Sequence, residues 1–389
     1  MLSKRIQTLS SSMTIAITTL ALELKAEGKD ILSFSAGEPD FDTPVAVKDS
    51  AKRALDEGKT KYTAIPGTPE LLKAVAGKLK RDNNLEYATN MIQTNNGAKH
   101  SLFNLFQALI DEGDEVIIPA PYWVTYPEVV KYSGGVSVII ETDDSCGFKI
   151  TPKQLKDAIT PKTKALVLTT PSNPTGAIYS KAELEALAEV LKGTDVLVIS
   201  DEMYEKLVYG GTKFTATASI SDDMFQRTIT VNGLSKSAAM TGWRFGYLAT
   251  PHTELVSVMN KLQSQSTSNI NSITQAAAIT GLDGTIDEVV EEMRVAFESR
   301  CDKALELINA VEGLSVVKPD GAFYLFINIK EVSNDSMAFA KGLLAEEGVA
   351  IVPGIAFGAE GYIRFSFATD IKTIREGIKR IERYIQAQK

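Results

Sequence analysis

Residues 228–249 read TITVNGLSKSAAMTGWRFGYLA, and this stretch decides the fold. Two apolar runs, at 228–232 and 245–249, enclose a loop of small residues that carries Lys236 and Arg244. Apolar runs of this length, bounded by turn residues, are typical of buried strands. Lys236 is therefore expected just beyond the end of a strand, and the glycines on either side of Arg244 allow the backbone to approach closely there.

Similar apolar runs occur in the residues that precede this stretch. Between residues 69 and 250, short apolar runs alternate with helical patterns, which predicts an α/β fold with a mostly parallel central sheet covered by helices. In such sheets ligands bind beyond the carboxyl ends of the strands, so functional residues are expected there. The other predicted strands are 115–119, 136–140, 165–169 and 196–200, and the predicted helices are 69–81, 99–111, 124–131 and 181–191.

The pattern changes after residue 283, which predicts a second and smaller domain. A long amphipathic helix is expected first, and shorter strands and helices follow it. We interpret 46–283 as a large ligand-binding domain and 1–45 plus 284–389 as a small α/β domain with an N-terminal arm, separated by a cleft. The elements predicted after residue 283 are helices at 284–311 and 337–346, strands at 322–329, 349–352 and 362–367, and a terminal helix from residue 370.

The composition argues against several classes of function. The chain of 389 residues has a formal net charge of −8, whereas nucleic-acid binding requires a concentrated basic surface. No apolar run approaches the ~18 to 20 residues of a membrane helix, so no membrane contact is expected. Two cysteines and two histidines are too few for a disulfide framework or for most zinc and Ser/His sites, and a cytoplasmic location fits.

Lys236, Asp201 and Arg244 together suggest a cofactor. A lysine forms Schiff bases when its surroundings disfavour its charge, and an arginine fork suits a phosphate. Lys236 together with Arg244 indicates pyridoxal phosphate, although an aldolase also uses a catalytic lysine. Asp201 follows the apolar run at 196–200, where it is either a turn or cap residue or the anion that keeps the cofactor's pyridine nitrogen protonated. An aldolase would not need that carboxylate.

Other segments offer polar groups to the same cofactor. Tyr204 could donate a hydrogen bond to the phenolate oxygen. Asn173 precedes a proline in the turn PSNPTG at 171–176, where it either forms the turn or donates to the same oxygen. The segment NNGAK at 95–99 precedes a strong helix, so it is either a generic helix start or an anion site made of backbone N–H groups.

With these segments taken together, the chain resembles the class I aspartate aminotransferases, which belong to the fold-type I pyridoxal-phosphate enzymes, and it is similar to their bacterial and cyanobacterial subgroup. The likeness extends from SAGEPDFDTP at 35–44 to YIRFSFAT at 362–369 and so covers nearly the whole chain. It implies the fold of a fold-type I PLP transferase, with a mostly parallel central sheet and a smaller α/β domain.

The resemblance also implies a role for each matching residue. Lys236 would be the Schiff-base lysine and proton carrier, with Asp201 and Tyr204 completing the catalytic set. Tyr62, and with less support Asn269, would reach the phosphate of the neighbouring subunit, which implies a homodimer with active sites at the subunit interface. The residues expected to bind the cofactor within the chain are Gly97, Ala98, Lys99, Trp123, Asn173, Asp201, Tyr204, Ser235, Lys236 and Arg244.

Substrate contacts are implied in the same way, for Gly37, Trp123, Asn173, Arg364 and Lys99. An arginine in an apolar strand is costly unless it is paired, so Arg364 either makes a structural salt bridge or binds the substrate α-carboxylate as a fork. Some members of the family recognise the distal carboxylate through an arginine of the other subunit, whereas relatives of this subgroup use a lysine that matches Lys99. The resemblance therefore implies a dicarboxylic substrate. Relatives that accept prephenate tend to carry a basic residue near the position of Ser10. The serine at this position therefore argues against prephenate as a substrate.

The expected activity is exchange of amino groups between L-aspartate, or a similar amino acid, and 2-oxoglutarate by a ping-pong aldimine/ketimine mechanism. The alternatives are an alanine, aromatic, prephenate or kynurenine-type aminotransferase, a PLP-dependent C–S lyase, and a non-catalytic sensor of the cofactor or of amino acids. Ala98 and Gly233 depart from a glycine and a serine found in relatives. Both changes are compatible with phosphate binding through the backbone.

Overall fold

The computed structural model describes residues 2–10 and 13–388, except the side chain of Thr14. The strands are β1 (Leu32–Ser33), β2 (Ile92–Asn96), β3 (Glu115–Pro119), β4 (Val136–Ile140), β5 (Thr163–Thr169), β6 (Leu197–Asp201), β7 (Thr228–Gly233), β8 (Phe245–Ala249), β9 (Ser315–Val316), β10 (Tyr324–Asn328), β11 (Val349–Ala350), β12 (Val352–Pro353) and β13 (Tyr362–Ser366). The α-helices are α1 (Met13–Ala26), α2 (Val45–Asp56), α3 (Pro69–Asn83), α4 (Ala98–Leu109), α5 (Thr125–Tyr132), α6 (Pro152–Ala158), α7 (Lys181–Leu191), α8 (Asp222–Arg227), α9 (Thr253–Ser264), α10 (Ser272–Leu282), α11 (Asp287–Ile308), α12 (Ser336–Glu347) and α13 (Ile371–Gln388). Within the ranges described, no helix is both long and apolar enough to cross a membrane.

The central sheet has seven strands in the order β2-β8-β7-β6-β5-β3-β4. Neighbouring strands are parallel except for β8, which runs antiparallel to both β7 and β2. Helices pack against the sheet, with α4 on β7 and β8, α5 on β3 and β4, and α8 on β6. Every residue of β7 and β8 is buried, as expected for strands covered on both faces. The mostly parallel, helix-covered sheet predicted from the sequence is confirmed.

Strand β2 is missing from the sequence prediction because its sequence, IQTNN, has a single apolar residue. The strand is nevertheless buried, with Gln93 and Asn95 both 0% exposed. Their side chains find polar partners: Gln93 Nε2 donates to Asn260 Oδ1 at 2.9 Å, and Asn95 Nδ2 donates to Gln263 Oε1 at 2.7 Å. Paired amides therefore take the place of the apolar side chains on which the prediction depends.

A second sheet, in the order β12-β13-β10-β9, is antiparallel throughout. Strand β1 pairs in parallel with β11, with Leu32 opposite Val349, and α1 packs on β11 and β12. Helices α11, α12 and α13 contact these strands. Segments from both ends of the chain therefore pack together, and Arg364 lies in β13, an inner strand of the second sheet.

Two predicted elements require correction. The helix predicted at 284–311 is Asp287–Ile308, and Gly284, at its expected start, has a φ of 98° that a helix does not allow. The strand predicted at 349–352 consists of two strands, because Val349–Ala350 pairs with β1 whereas Val352–Pro353 pairs with β13. The other predicted elements agree with the structure to within two residues at either end.

One buried face of β6 and β7 is polar. Ser200, Thr228 and Thr230 lie on this face together with Glu202, which directly follows β6 and is 0% exposed. Glu202 Oε1 accepts hydrogen bonds from Ser200 Oγ at 2.9 Å and from the backbone N–H of Thr217 at 3.0 Å. Its other oxygen, Oε2, has no partner among the described residues. A fully ionised carboxylate would be costly in this position.

Glu202 should therefore make the protein less stable as the pH rises. Burial, and then repulsion from Glu205, raises the pKa of Glu202 to about 8 from an ordinary value of 4.5. Because the folded-state pKa is the higher one, the free energy of unfolding is expected to fall by a few kcal/mol between about pH 4.5 and about pH 8. Glu202→Gln, which resembles the neutral acid, should remove this decline and exceed the parent in stability above about pH 8.

Urea unfolding at about pH 6 and about pH 9 measures the difference. Glu292→Gln is the matched control, because Glu292 is an exposed glutamate on α11. The same pH dependence in the parent and in the Glu202→Gln variant would contradict the prediction.

Candidate active site

A cavity of about 500 Å³ opens at the carboxyl ends of β5, β6 and β7. Thr169 and Asp201 end β5 and β6 and lie opposite each other in register, and Lys236 lies in the loop after β7. Arg364 of β13 and the segment 35–38 also line the cavity. It therefore lies between the two sheets, at the edge where the sequence predicts functional residues.

Most of the predicted site residues come together here. Gly97 does not line the cavity, but it directly precedes Ala98, which does, and it lies against the side chain of Arg244. Tyr62 and Asn269 do not line the cavity: Tyr62 is 90% exposed, and Asn269 Nδ2 donates to the carbonyl of Ile270 at 2.7 Å. The predicted residues that line the cavity are Gly37, Ala98, Lys99, Trp123, Asn173, Asp201, Tyr204, Ser235, Lys236, Arg244 and Arg364.

Lys236 has the ionisation expected of a reactive amine. Burial lowers its pKa to about 8, and this effect outweighs the Glu38 carboxylate, which raises the pKa. Arg364 and Arg244 lower the pKa further, and Asp201 raises it. The lysine Nζ donates a hydrogen bond to the carbonyl oxygen of Gly37. The side chain is therefore neutral in about a tenth of the molecules at pH 7, far more than for an ordinary lysine, and the neutral amine is the form that attacks an aldehyde.

Asp201 is held by a tyrosine that sequence reasoning missed. Tyr126 of α5 donates to Asp201 Oδ2 at 2.7 Å, and the backbone N–H of Met203 donates to Oδ1 at 3.3 Å. Burial is the largest influence on Asp201 and raises the pKa of its carboxyl group, while the bond from Tyr126 lowers it. A cation beside this buried carboxylate would stabilise its ionised form. No motif in the sequence marks Tyr126.

Tyr204 is paired with a second tyrosine that was also missed. The two hydroxyls of Tyr204 and Tyr324 lie 2.8 Å apart, and both residues line the cavity. Burial raises the pKa of Tyr204 well above its usual range, so its hydroxyl keeps its proton. It can therefore act as a hydrogen-bond donor. Tyr324 occurs in an apolar strand, where its sequence context indicates only core packing.

Arg364 is 2% exposed and makes no salt bridge within the described chain. Its Nη1 donates to Asn173 Oδ1 at 2.9 Å, its Nη2 donates to the Ser35 carbonyl at 2.8 Å, and its Nε has no partner among the described residues. The guanidinium group lies 4.4 Å from the centre of the Tyr324 ring. A buried cation with a spare donor, facing a cavity, can bind a carboxylate. The structural salt bridge considered for Arg364 is thus absent from the described residues.

The start of α4 and the Arg244 side chain form a cradle for an anion. Gly97 precedes the helix with a φ of 82°, and a Cβ there would lie 2.6 Å from Arg244 Nη2. A Cβ on Gly246 would lie 2.3 Å from the Ala98 backbone nitrogen. Both glycines therefore bring the helix N-terminus and the arginine together. Free N–H groups at a helix start, beside a guanidinium group, suit a phosphate.

Lys99 lies at the mouth of the same cavity, where it is exposed. Its Nζ is 4.9 Å from the centre of the Trp123 ring. Partial desolvation, and then the charge of Arg244, lowers its pKa. Besides Lys236 and the arginine of the anion cradle, the cavity thus has two cationic groups, Arg364 and, on the side of α4, Lys99.

A sheet of this topology with a desolvated lysine, a buried aspartate and an anion cradle in one cavity defines the class of α/β enzymes that use pyridoxal phosphate. The chain belongs to the aminotransferases of class I and II, whose family model matches residues 29–381. It is therefore an aminotransferase, and its cofactor is pyridoxal phosphate. The family resemblance and the α/β fold predicted from the sequence are confirmed.

Individual relatives agree with this assignment. The chain is 49% identical over 390 residues to the aspartate aminotransferase of Bacillus subtilis, with 99% of each protein covered. It is 45% identical over 395 residues to the aspartate/prephenate aminotransferase of Cereibacter sphaeroides, with 98% of each covered. The structure matches that of the aspartate aminotransferase from Thermus thermophilus with maleate, with a TM-score of 0.95, 44% identity and 99% coverage of both chains.

The residues of the cavity fit this cofactor. Asp201 offers a buried acid for a protonated ring nitrogen, the cradle at Gly97 and Arg244 offers donors for a phosphate, and Lys236 offers an amine for an aldehyde. In the part of the chain that the structure describes, no group of His, Cys, Asp and Glu side chains is arranged to hold a metal ion.

Proposed function

We propose that the chain exchanges amino groups between L-aspartate, or a similar amino acid, and 2-oxoglutarate. The observation that carries this proposal is a pair of cationic groups in one cavity, apart from Lys236 and the arginine of the anion cradle: Arg364 is buried with a spare donor, and Lys99 lies at the mouth. A dicarboxylic substrate needs two such groups, one for each carboxylate. The names of the relatives support the choice, as does the Thermus thermophilus structure with maleate, itself a dicarboxylate.

The residues that line the cavity would have different roles in the reaction. Bound pyridoxal phosphate supplies an electron sink that stabilises negative charge at the substrate α-carbon. Lys236 would hold the cofactor and then, once freed, carry the proton away from that carbon. Asp201 would keep a proton on the ring nitrogen, and its own position would be fixed by Tyr126. A pKa of about 8 leaves enough neutral Lys236 to accept a proton near neutral pH.

The remaining residues would bind and orient. The backbone at Gly97 and Ala98, with Ser235 and Arg244, would hold the cofactor phosphate. Trp123 would stack on the ring, and Tyr204 and Asn173 would donate to its phenolate oxygen. Arg364, with the backbone at Gly37, would fix the substrate α-carboxylate, and Lys99 the distal one. Bound in this way, the α-carbon would lie within reach of Lys236.

The assembly and domains are part of the same proposal. Residues 46–283 would form the large PLP-binding domain, and 1–45 with 284–389 the small domain and N-terminal arm. Tyr62, which is 90% exposed, would complete the site of a second subunit in a cytoplasmic homodimer, with Asn269 beside it. Sedimentation analysis tests the dimer: a chain that sediments as an active monomer would rule out shared sites.

Absorbance of the purified protein tests the activity. Adding aspartate should convert the cofactor from its pyridoxal to its pyridoxamine form, and adding 2-oxoglutarate should reverse the change. Alanine, aromatic amino acids and prephenate with an amino donor serve as comparison substrates, and release of pyruvate and ammonia from cysteine would indicate a lyase. A cofactor signal that aspartate leaves unchanged would refute the proposed donor.

A further inference from the structure

Glu38 connects two segments that meet at the cavity. Its Oε2 accepts a hydrogen bond from Thr241 Oγ1 at 2.9 Å, and Thr241 lies between Lys236 and Arg244 in the chain. The neighbouring residue, Gly37, accepts the hydrogen bond from Lys236 Nζ through its carbonyl oxygen. Two contacts therefore join the segment 35–38 to the lysine loop, one through the lysine itself and one through Glu38.

We propose that Glu38 is a positioning residue that holds the segment 35–38 against the lysine loop and stabilises positive charge on the Lys236 nitrogen. This role of Glu38 adds to the function proposed above. Only its consequence for catalysis rests on that function. The contacts themselves involve no substrate. Glu38 is an exposed residue, but it lines the same cavity as Lys236, and its carboxylate would favour the charged amine and so oppose the burial that favours the neutral one.

The other charged groups around Lys236 do not replace Glu38. Arg364 and Arg244 are cations that disfavour a charged lysine, and Asp201 raises the lysine pKa less than Glu38 does. Asp201 is also engaged by Tyr126. Tyr204 and Lys99 line the same cavity, one as a protonated hydroxyl and the other as a cation. Glu38 is therefore the main group that retains the proton on Lys236.

A second acid, just beyond the segment 35–38, provides a matched control. Asp40 lies two residues further along, where its Oδ1 accepts from Arg300 Nη1 at 2.6 Å, and it does not line the cavity. Asp40→Asn removes one negative charge close to Glu38 in the chain and breaks the contact with Arg300, but it leaves the Glu38 carboxylate in place. Thr241→Val removes the hydrogen bond to Glu38 and keeps the carboxylate. Together the variants separate charge from anchoring.

The experiment measures the ionisation of Lys236 directly. In full-length protein freed of cofactor, the rate of acetylation of Lys236 by acetic anhydride is followed against pH by peptide mass spectrometry. Glu38→Gln should acetylate about three- to fivefold faster than the parent near neutral pH, because the neutral fraction of an amine with a pKa of about 8 rises when a nearby anion is removed. In the holoenzyme, the pH midpoint of the cofactor absorbance should shift to lower pH. Asp40→Asn should be acetylated within about twofold of the parent rate, and its absorbance midpoint should equal that of the parent.

The outcomes separate this inference from the proposed function. A Glu38→Gln variant with the parent's acetylation profile and absorbance midpoint would overturn the charge role, and an equal shift in Asp40→Asn would reduce Glu38 to general anchoring and overturn it too. A larger effect in Glu38→Gln than in Thr241→Val supports it. If the profile shifts as expected but aspartate does not convert the cofactor, the inference stands and the proposed donor fails.

Discussion

Replacing Lys236 with alanine is expected to abolish amino-group exchange while the cofactor phosphate still binds. Loss of proton transfer alone should lower the rate about 10²- to 10⁴-fold, and loss of the covalent attachment of the cofactor should lower it further. The anion cradle at Gly97 and Arg244 does not involve the lysine side chain, so cofactor binding should weaken without disappearing. Turnover of aspartate and retention of cofactor during dialysis are the two measurements.

Lys213→Ala is the control for this variant. Lys213 is exposed, lies in the segment between β6 and α8, and does not line the cavity. It should keep both activity and cofactor. If Lys236→Ala retained a substantial part of the parent rate, another group would have to carry the proton, and the proposed mechanism would be wrong.

The position of the site could be predicted from the sequence because of a property of parallel sheets. Strands that run in one direction end at one edge, so residues that follow successive strands meet there. Asp201 ends β6, Asn173 and Lys236 follow β5 and β7, and all three line one cavity, although as many as 63 positions separate them. The prediction needs only the periodicity of the apolar runs and the polar residues directly after them.

The supporting contacts could not be predicted in this way. Tyr126 bonds to Asp201 across 75 positions of sequence, and Glu38 bonds to Thr241 across 203. Neither pair lies at the ends of two parallel strands, and neither belongs to one motif. Such contacts depend on how helices and loops pack over the sheet, which a one-dimensional pattern does not contain. Strand β2 was missed for a related reason, since amide partners from α9 satisfy its polar residues.

Replacing Arg364 with lysine should impair every amino acid substrate. The variant keeps a positive charge but loses the planar fork, so a single ammonium nitrogen has to replace the separate nitrogens that bind Asn173, the Ser35 carbonyl and the substrate. Loss of a buried, hydrogen-bonded charge contact costs about 2 to 5 kcal/mol, which corresponds to a kcat/KM lower by about 30- to 4000-fold. Steady-state kinetics with aspartate and with alanine provide the test, and a melting temperature confirms that the variant is folded.

A Lys99→Met variant makes the test specific, because the two cations are expected to bind different carboxylates. Alanine has an α-carboxylate but no distal one, so Arg364→Lys should reduce kcat/KM for both substrates, whereas Lys99→Met should reduce it for aspartate and spare alanine. The ratio of the two specificity constants therefore identifies which carboxylate each residue holds. If Arg364→Lys lowered kcat/KM for aspartate alone, Arg364 would be the distal-carboxylate group, and the orientation of the substrate proposed for this cavity would have to be reversed.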